Sequence, residues 1–500
     1  MIFAQATGAN APIHFPNVEY STFVPEIALV VGALVILTIA SLSRRRYSST
    51  VYAALTVVTG LVALGAAADL WNRISAHGGT LAVDRALAVD GFSVFFLVLI
   101  SVTVILGALL GESYVRREGL PAPEFFVLML LSASGGMLMA SANDLIVLFL
   151  GLEILSIALY VLAGYHARRE ASREAAMKYF VLGAFSSAIF LYGIALTYGA
   201  TGTTNIGEIA VFLSKNVLSH NGVLLAGMGL MLVGLGFKVA AVPFHAWTPD
   251  VYQGSPTPVT GFMAASAKAA GFAGLLRVFT SGLHSLQLDW RPVVFVLAVL
   301  TLAVGSVLAL VQTDVKRMLA YSSISHAGYV LVGLQAATKE GIAGSLFYLL
   351  AYTFMVLGSF AVVMLVGRRG DDHHSLDDYR GLAARRPGLA LAFTVFLMAQ
   401  AGVPFTSGFL AKFYVIAAAV DRHSYALAII AMLGAAVAAF FYLRLVVIMY
   451  GPPAEGEEPV RIPIPRTAGV ALALTLAFTL IAGILPAPVI DFARHATLLF

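Results

Sequence analysis

Hydrophobic runs dominate the chain, at approximately 24–42, 51–71, 91–111, 123–142, 145–165, 176–199, 222–242, 256–281, 292–312, 318–336, 341–366, 388–420, 424–450 and 467–486. A helix needs about 20 apolar residues to cross a bilayer, and lipid offers an open strand no hydrogen-bond partner for its backbone. The pattern therefore predicts an all-α, polytopic membrane protein with about fourteen transmembrane helices. The largest polar stretches, near 200–221, 367–387 and 451–466, are too short for a soluble domain and read as connectors or short interfacial helices. Ile206–Val217 is weakly amphipathic and reads as lying along the outer surface. The first twenty residues lack a basic region followed by a compact apolar core, so no cleaved signal peptide is read.

Two of the apolar runs are interrupted. Around 236–249 the chain reads GFKVAAVPFHAWTP, and around 399–413 it reads AQAGVPFTSGFLAKF. Both contain Val-Pro-Phe, and proline removes a backbone donor and clashes with the preceding turn, so each span should break there. Paired broken spans mark inverted-repeat transporters and point to the ion pathway. The reading is one integral membrane domain, 1–500, built of N-terminal helices 1–3 (1–122), a first five-helix repeat (123–281), an inverted second repeat (292–450), and helix 14 with its tail (467–500). Helices 7 and 12 are the broken ones.

Composition sharpens this picture. Hydrophobic residues make up 60% of the chain and charged ones only 11%, against about 25% charged in ordinary globular domains. No cysteine is present, which excludes disulfides, thiolate metal sites and iron–sulfur clusters. The net charge of +4 calls for no nucleic acid. With the N-terminus outside, most basic residues fall on the inner side, among them Arg44, Arg45, Arg46, Arg116, Arg117, Arg168, Arg169, Lys316, Arg317, Arg368, Arg369, Arg385, Arg386 and Arg461. The outer side holds Arg73, Arg85, Lys215, Arg291, Lys339, Arg422 and Arg494. That bias obeys the positive-inside rule and supports both the span count and the orientation.

Charges inside the apolar runs carry the chemistry, because an ionised side chain at the bilayer centre costs from about 2.5 to over 10 kcal/mol. Glu153 sits about eight residues into the fifth span, roughly 12 Å deep. Lys238 lies a turn before Pro243, Lys268 near the middle of the eighth span among alanines and glycines, and Lys412 two turns past the second break. Lys178, near one end of the sixth span, is a candidate second partner for the glutamate. His245 and His326 lie within spans and could relay protons. Arg444 reads as an anchor reaching the membrane surface, as do Lys316 and Arg317; Glu26, Asp144 and Asp314 read as helix N-terminal carboxylates. Lysines are poor metal ligands, and neither a nucleophile motif nor a phosphate cradle is present. A row of lysines suits a mobile proton: burial disfavours the ammonium and a nearby carboxylate favours it, so a change in their separation loads or unloads the site. A purely structural role is the bland alternative, although apolar residues would pack as well at lower cost.

With these residues in place, the chain resembles the antiporter-like membrane-arm subunits of respiratory complex I over essentially its whole length. The motifs are GFKVAAVPFHAWTPDVYQGSPTPVTGFMAASAKAAGF (236–272), TDVKRMLAYSSISHAGYVLVG (313–333) and GVPFTSGFLAKFYV (402–415). VYQGSPTPVTGFM and SSISHAGY are similar to the N type; Lys412 departs from the M type, which has a glutamate there, and the chain is too short for the L type. The resemblance implies a proton path through Glu153, Lys238, Lys268 and Lys412, supported by Lys178 and His245, with the glutamate paired to Lys238. It implies a non-redox subunit of a proton-translocating NADH:quinone oxidoreductase in the bacterial inner membrane, with both termini outside. NADH, flavin, iron–sulfur clusters and quinone would then belong to other subunits, leaving no cofactor or metal in this chain. Its partners would be other membrane-arm subunits, the lipid bilayer and protons. A subunit of a multisubunit sodium/proton antiporter is the alternative. The second repeat lacks an obvious carboxylate matching Glu153; the offset lands between Tyr321 and His326.

Overall fold

The computed structural model describes residues 19–43, 47–216, 221–452 and 462–499. Arg44, Arg45, Arg46, Val217, Arg461 and the first eighteen residues, including most of the stretch scanned for a signal peptide, lie outside them. Among the described residues, α1 (Val24–Leu42) and α2 (Ser49–His77) are followed by a short antiparallel hairpin, β1 (Thr80–Ala82) against β2 (Leu87–Val89). Then come α3 (Gly91–Glu118), α4 (Ala122–Ser141), α5 (Leu145–Ala163), α6 (Glu170–Thr201), the short α7 (Ile206–Lys215) and α8 (Gly222–Val239). After a break, α9 (Trp247–Gly254) leads to α10 (Thr257–Gly282), α11 (Gln287–Leu310), α12 (Val315–Ala336) and α13 (Lys339–Val366). The chain continues through the four-residue α14 (Leu382–Arg385), a second broken pair, α15 (Pro387–Ala401) and α16 (Ser407–Asp421), and α17 (Tyr425–Tyr450). It ends in α18 (Arg466–Ile484) and the surface helix α19 (Ala487–His495).

Among the described residues twelve helices are long and apolar enough to cross a membrane. The polar α12 and the α15–α16 pair add two crossings, so the hydrophobic pattern and the structure agree on fourteen. The apolar stretches of α10 and α13 are buried and form the centre, whereas α1, α2 and α18 leave wide apolar faces outward. The hairpin and α19 had no signal in the hydrophobic pattern, because neither is long enough to register as a run.

The two halves share one local construction. Leu145 N donates to Thr204 O (2.9 Å) and Ile206 N to Asn143 O (2.8 Å); in the second half Val315 N donates to His374 O (2.7 Å) and Leu376 N to Thr313 O (2.9 Å). Asp144 bridges to Asn205, and Asp314 to Ser375. The offset is 170 residues throughout, from Asp144 to Asp314 and from Asn205 to Ser375. Both aspartates cap the helix that follows, Asp144 accepting from Ile146 N and Val147 N, and Asp314 from Arg317 N. Five crossings separate the two caps, so they open at opposite faces and the repeat is inverted.

Each break resolves its own freed backbone groups, as burial demands. At the first, Trp247 Nε1 donates to Phe237 O (3.0 Å), and Val242 N to Thr301 Oγ1 of α11 (2.9 Å). At the second, Gly402 adopts φ +95°, a left-handed conformation that suits a residue without Cβ. Val403 N then returns to Met398 O.

Of the three basic residues expected to anchor at the membrane surface, Lys316 is buried, whereas Arg317 and Arg444 are half-buried and bond to protein groups. Arg444 donates to Leu310 O (2.8 Å) and Gln312 O (2.6 Å), the open carbonyls that end α11. Lys316 is fully buried against Ser255 O (2.6 Å). Arg317 reaches Asp250 (2.6 Å) and Gln253 (3.1 Å). Open carbonyls hold Arg444 and Lys316, and a half-buried acid holds Arg317.

Candidate functional site

Lys238, Lys268 and Lys412 are 5%, 4% and 6% exposed, so each ammonium must find its partners inside the protein. Lys238 occupies the last turn of α8 before the break. Its Nζ donates to Ser156 Oγ of α5 (2.8 Å) and Tyr179 Oη of α6 (3.2 Å), and lies 5.5 Å from the centre of the Tyr179 ring. Its stem runs over Gly271, where a Cβ would come within 3.3 Å of Lys238 Cγ.

Glu153 lies one turn before Ser156 on α5 and is half-buried. It attracts Lys238 through space, but the two are not in ion-pair contact, and Glu153 Oε1 is buried without a hydrogen-bond partner. The direct pair implied by the resemblance is therefore open in this structure, and the lysine rests on hydroxyls. Glu153 also borders the outward face of α5, where Leu150, Ile154 and Ile157 are exposed.

Lys268 follows a π-helical stretch, Met263–Ala267, in α10. Such a wide turn inside a helix re-aims the side chain after it and recurs at functional sites. The Lys268 ammonium donates to the backbone oxygen and hydroxyl of Ser323 on α12, and lies 5.3 Å from the Tyr352 ring centre. By the offset of 170, Ser323 is the counterpart of Glu153. The missing carboxylate is a serine, and it faces the central lysine.

Beyond Lys268 the polar groups continue. His326 joins Tyr348 Oη through Nδ1 (2.6 Å) and Tyr442 Oη through Nε2 (3.2 Å), so a neutral ring gives to one phenol and takes from the other. Its ring lies 4.9 Å from that of Tyr352. Tyr348 stacks on Tyr329 at 5.8 Å, and Tyr329 faces Lys412 Nζ at 4.9 Å. Lys412 donates to Ala401 O (2.8 Å), the last carbonyl of α15, at the negative end of a half-helix inside the membrane. On the other side of Lys268, Tyr179 stacks on Trp247 at 4.6 Å, and Trp247 meets Tyr252 at 6.3 Å. Polar and aromatic side chains thus flank all three ammonium groups, on the Lys238 side of Lys268 and on its Lys412 side.

Lys178 stands apart from these groups. It is 42% exposed and pairs with Glu174 (2.6 Å) and Asp250 (2.7 Å) rather than with Glu153. His245 lies in the first break, half-buried, with Nδ1 buried and unpartnered.

A second polar centre was not legible from the sequence. Asp371, in the connector after α13, is buried and accepts from Thr257 N (3.1 Å), Thr257 Oγ1 (2.6 Å) and Tyr114 Oη (3.2 Å). Arg169 (3.3 Å), Lys316 (3.7 Å) and His374 (3.0 Å) surround it. Burial alone would push its carboxyl upward; Lys316, His374 and Arg169 outweigh that and hold it well below the usual carboxylate range. The available signal was the acid- and histidine-rich Asp371-Asp372-His373-His374 facing the basic Lys316-Arg317 pair. Asp90 and Arg277 form another buried pair, with contacts of 2.8 and 2.9 Å. Among the described residues no cluster of three or more histidines or acids could hold a metal ion.

Fourteen crossings, two of them broken, and three buried lysines define an antiporter-like membrane subunit. A family described as NADH:quinone oxidoreductase/Mrp antiporter, transmembrane, matches residues 142–438. NADH-quinone oxidoreductase subunit N of Trichlorobacter lovleyi is 43% identical, covering 96% of this chain and 98% of the relative. A chain of respiratory complex I from Thermus thermophilus is 35% identical with a TM-score of 0.79, over 94% of this chain and 99% of that one. A chain of the Mrp complex from Dietzia sp. has a TM-score of 0.83 at 21% identity, over 96% and 97%, a likeness of fold alone. The chain belongs to the family of NADH-quinone oxidoreductase subunit N.

Proposed function

We propose that this chain is a non-redox, proton-conducting subunit of an NADH:quinone oxidoreductase in a bacterial inner membrane, with its basic face inward and both termini outside. Protons move along Glu153, Lys238, Lys268 and Lys412, with His326 and the tyrosines between them as relays, while NADH oxidation and quinone reduction take place on neighbouring subunits. The observation that carries this reading is the burial of three ammonium groups with hydroxyls, aromatic rings and an imidazole between them. Their desolvation is costly, and apolar residues would stabilise the fold better. His245 and Lys178 take supporting places, the latter at the end of α6.

Magnitudes limit how this path can be driven. At an effective dielectric of about 20, drawing an acid–lysine pair from about 4 to about 7 Å costs roughly 1.8 kcal/mol, whereas moving one charge against about 150 mV costs roughly 3.5 kcal/mol. One pair movement falls short, so several coupled sites, driven by conformational change in the neighbours, are required. In the assembled complex, Glu153→Ala and Lys238→Ala should each depress quinone-coupled proton pumping, read by an acidification dye in proteoliposomes. Normal pumping rate and stoichiometry in both variants would remove these residues from the path. Sodium-for-proton exchange by the isolated chain, without any redox partner, would instead favour the antiporter reading that the Mrp-like fold permits.

A further inference from the structure

On the arginine-rich face, a cavity of about 370 Å³ opens where the ends of α3 and α13 meet the segment leading into α18. Its walls are apolar, formed by Met364, Leu365 and the proline-rich Ile462–Pro465 stretch, and its rim carries Arg116, Arg117, Arg368 and Arg369. Of these four guanidinium groups around an apolar floor, two have a carboxylate beside them and two do not, which leaves like charges facing one another.

The structure builds this arrangement deliberately. Glu118, itself buried, accepts from Arg117 Nε (2.7 Å) and from Gly370 N (2.9 Å), which staples the turn after α13 against the end of α3. That turn holds Arg368 at φ +51°, a left-handed conformation costly for a non-glycine residue. Both arginine pairs are thereby set side by side. Arg117 Nη1 donates to Met364 O (2.7 Å), while Arg117 Nη2 is buried with no hydrogen-bond partner. Arg116 is offset by Glu112 at 3.1 Å. The side chains of Arg368 and Arg369 have no hydrogen bond or ion pair among the described residues, so the rim keeps an excess of positive charge.

We propose that this cavity binds the phosphodiester head of an acidic membrane phospholipid, with Arg368 and Arg369 on the phosphate oxygens. The acyl chains lie against the apolar wall and continue along α18, which exposes Val470 and Leu474 in its first turns. Guanidinium forks match phosphate oxygens, and basic pockets between membrane helices are where anionic headgroups settle. An apolar floor beneath the charges selects a lipid over a free anion.

The test uses the full chain in mild detergent, titrated with phosphatidylglycerol, phosphatidylcholine or inorganic phosphate. Lipid retention is read by native mass spectrometry, and stabilisation by the shift in thermal midpoint. Phosphatidylglycerol should be retained and should raise the midpoint, and the R368Q/R369Q double variant should weaken that retention about thirtyfold. R494Q, an arginine remote from this cavity, serves as control and should retain the lipid like the parent. Should the double variant lower the lipid-free midpoint, R369Q alone, at an exposed side chain, carries the test with a smaller loss. Equal retention of phosphatidylcholine, protection by phosphate alone, or unchanged retention in the arginine variants would each overturn the proposal. Glu455, Glu457 and Glu458 precede this segment in the sequence; binding of lipid only after all three are changed to glutamine would also overturn the proposal.

Discussion

In the first half of the molecule Lys238 is held by side chains, the hydroxyls of Ser156 and Tyr179, with the carboxylate of Glu153 nearby and one of its oxygens unpartnered. In the second half Lys412 is held by backbone, the last carbonyl of α15, and no acid stands where Glu153 has its counterpart. Between them, Lys268 leans on Ser323, the residue that replaces that acid. Hydroxyls can rotate and a carboxylate can approach, so the first site has a second arrangement close at hand. A carbonyl at the end of a half-helix is fixed. On the proposed function the halves would share a fold but divide the work: one would change the charge environment of its lysine, the other would offer a set place for a proton to land, and the two would not act as independent pumps.

The largest effect is expected where the halves join. Lys268→Met keeps the stem and removes the ammonium, and proton transfer through this chain should fall by roughly a hundredfold, the lower end of what a positioned proton-transfer group contributes. NADH oxidation measured with an artificial acceptor should stay normal, since the proposed function places that chemistry on other subunits. Retained pumping in this variant would mean that each half conducts alone, and the division of work drawn here would fail.

A middle-sized pair of changes compares the halves directly. Glu153→Gln removes an attraction of about 2–3 kcal/mol at separations of about 5–8 Å and an effective dielectric of about 20. Ser323→Ala removes one acceptor from Lys268 but leaves the backbone oxygen beside it, a loss nearer the low end of about 1.5–3 kcal/mol for a hydrogen bond to a charged group. Pumping should therefore suffer more from the glutamine than from the alanine. A reversed order would show that the serine, not the acid, sets the barrier.

Much of this was legible in the residues alone, for a physical reason. Crossing a bilayer imposes a length and an apolarity that any run of residues must display, so the fourteen spans and both breaks stand out. The same cost makes Glu153, Lys238, Lys268 and Lys412 conspicuous, and the structure buries all three lysines. Their partners were less legible. Lys178 looked like a companion for Glu153, but the rise of α6 carries it to Glu174 and Asp250. Ser323 carries no formal charge and so gave no signal, although it occupies the place of the absent acid. Asp371 was hidden for the opposite reason: it lies in a polar connector, where a charge attracts no notice, and only the folded chain buries it among Lys316, His374 and Arg169. Where desolvation is visible from sequence the chemistry is readable, and where burial is created by tertiary packing it is not.

The smallest predicted effects come from two glycines, each beside a lysine stem, and they separate holding by side chain from holding by backbone. At Gly402 an added Cβ would lie 3.1 Å from Lys412 Cδ, on a backbone at φ +95°. Gly402→Ala should destabilise the protein by about 1–3 kcal/mol through the left-handed conformation alone, read as a lowered thermal midpoint, because the flexible stem of Lys412 can give way. At Gly271 the backbone is helical, and alanine there gains up to about 1 kcal/mol of helix propensity. Its Cβ would press within 3.0 Å of Val239 Cγ1 and 3.3 Å of Lys238 Cγ, offsetting that gain and tilting the ammonium away from Ser156. Gly271→Ala should thus leave stability close to that of the parent but slow pumping severalfold, since Lys238 depends on rotatable partners being in reach. If instead Gly402→Ala leaves the midpoint unchanged and slows pumping more than Gly271→Ala does, the backbone-held lysine is the sensitive one, and the contrast between a switching half and a receiving half is inverted.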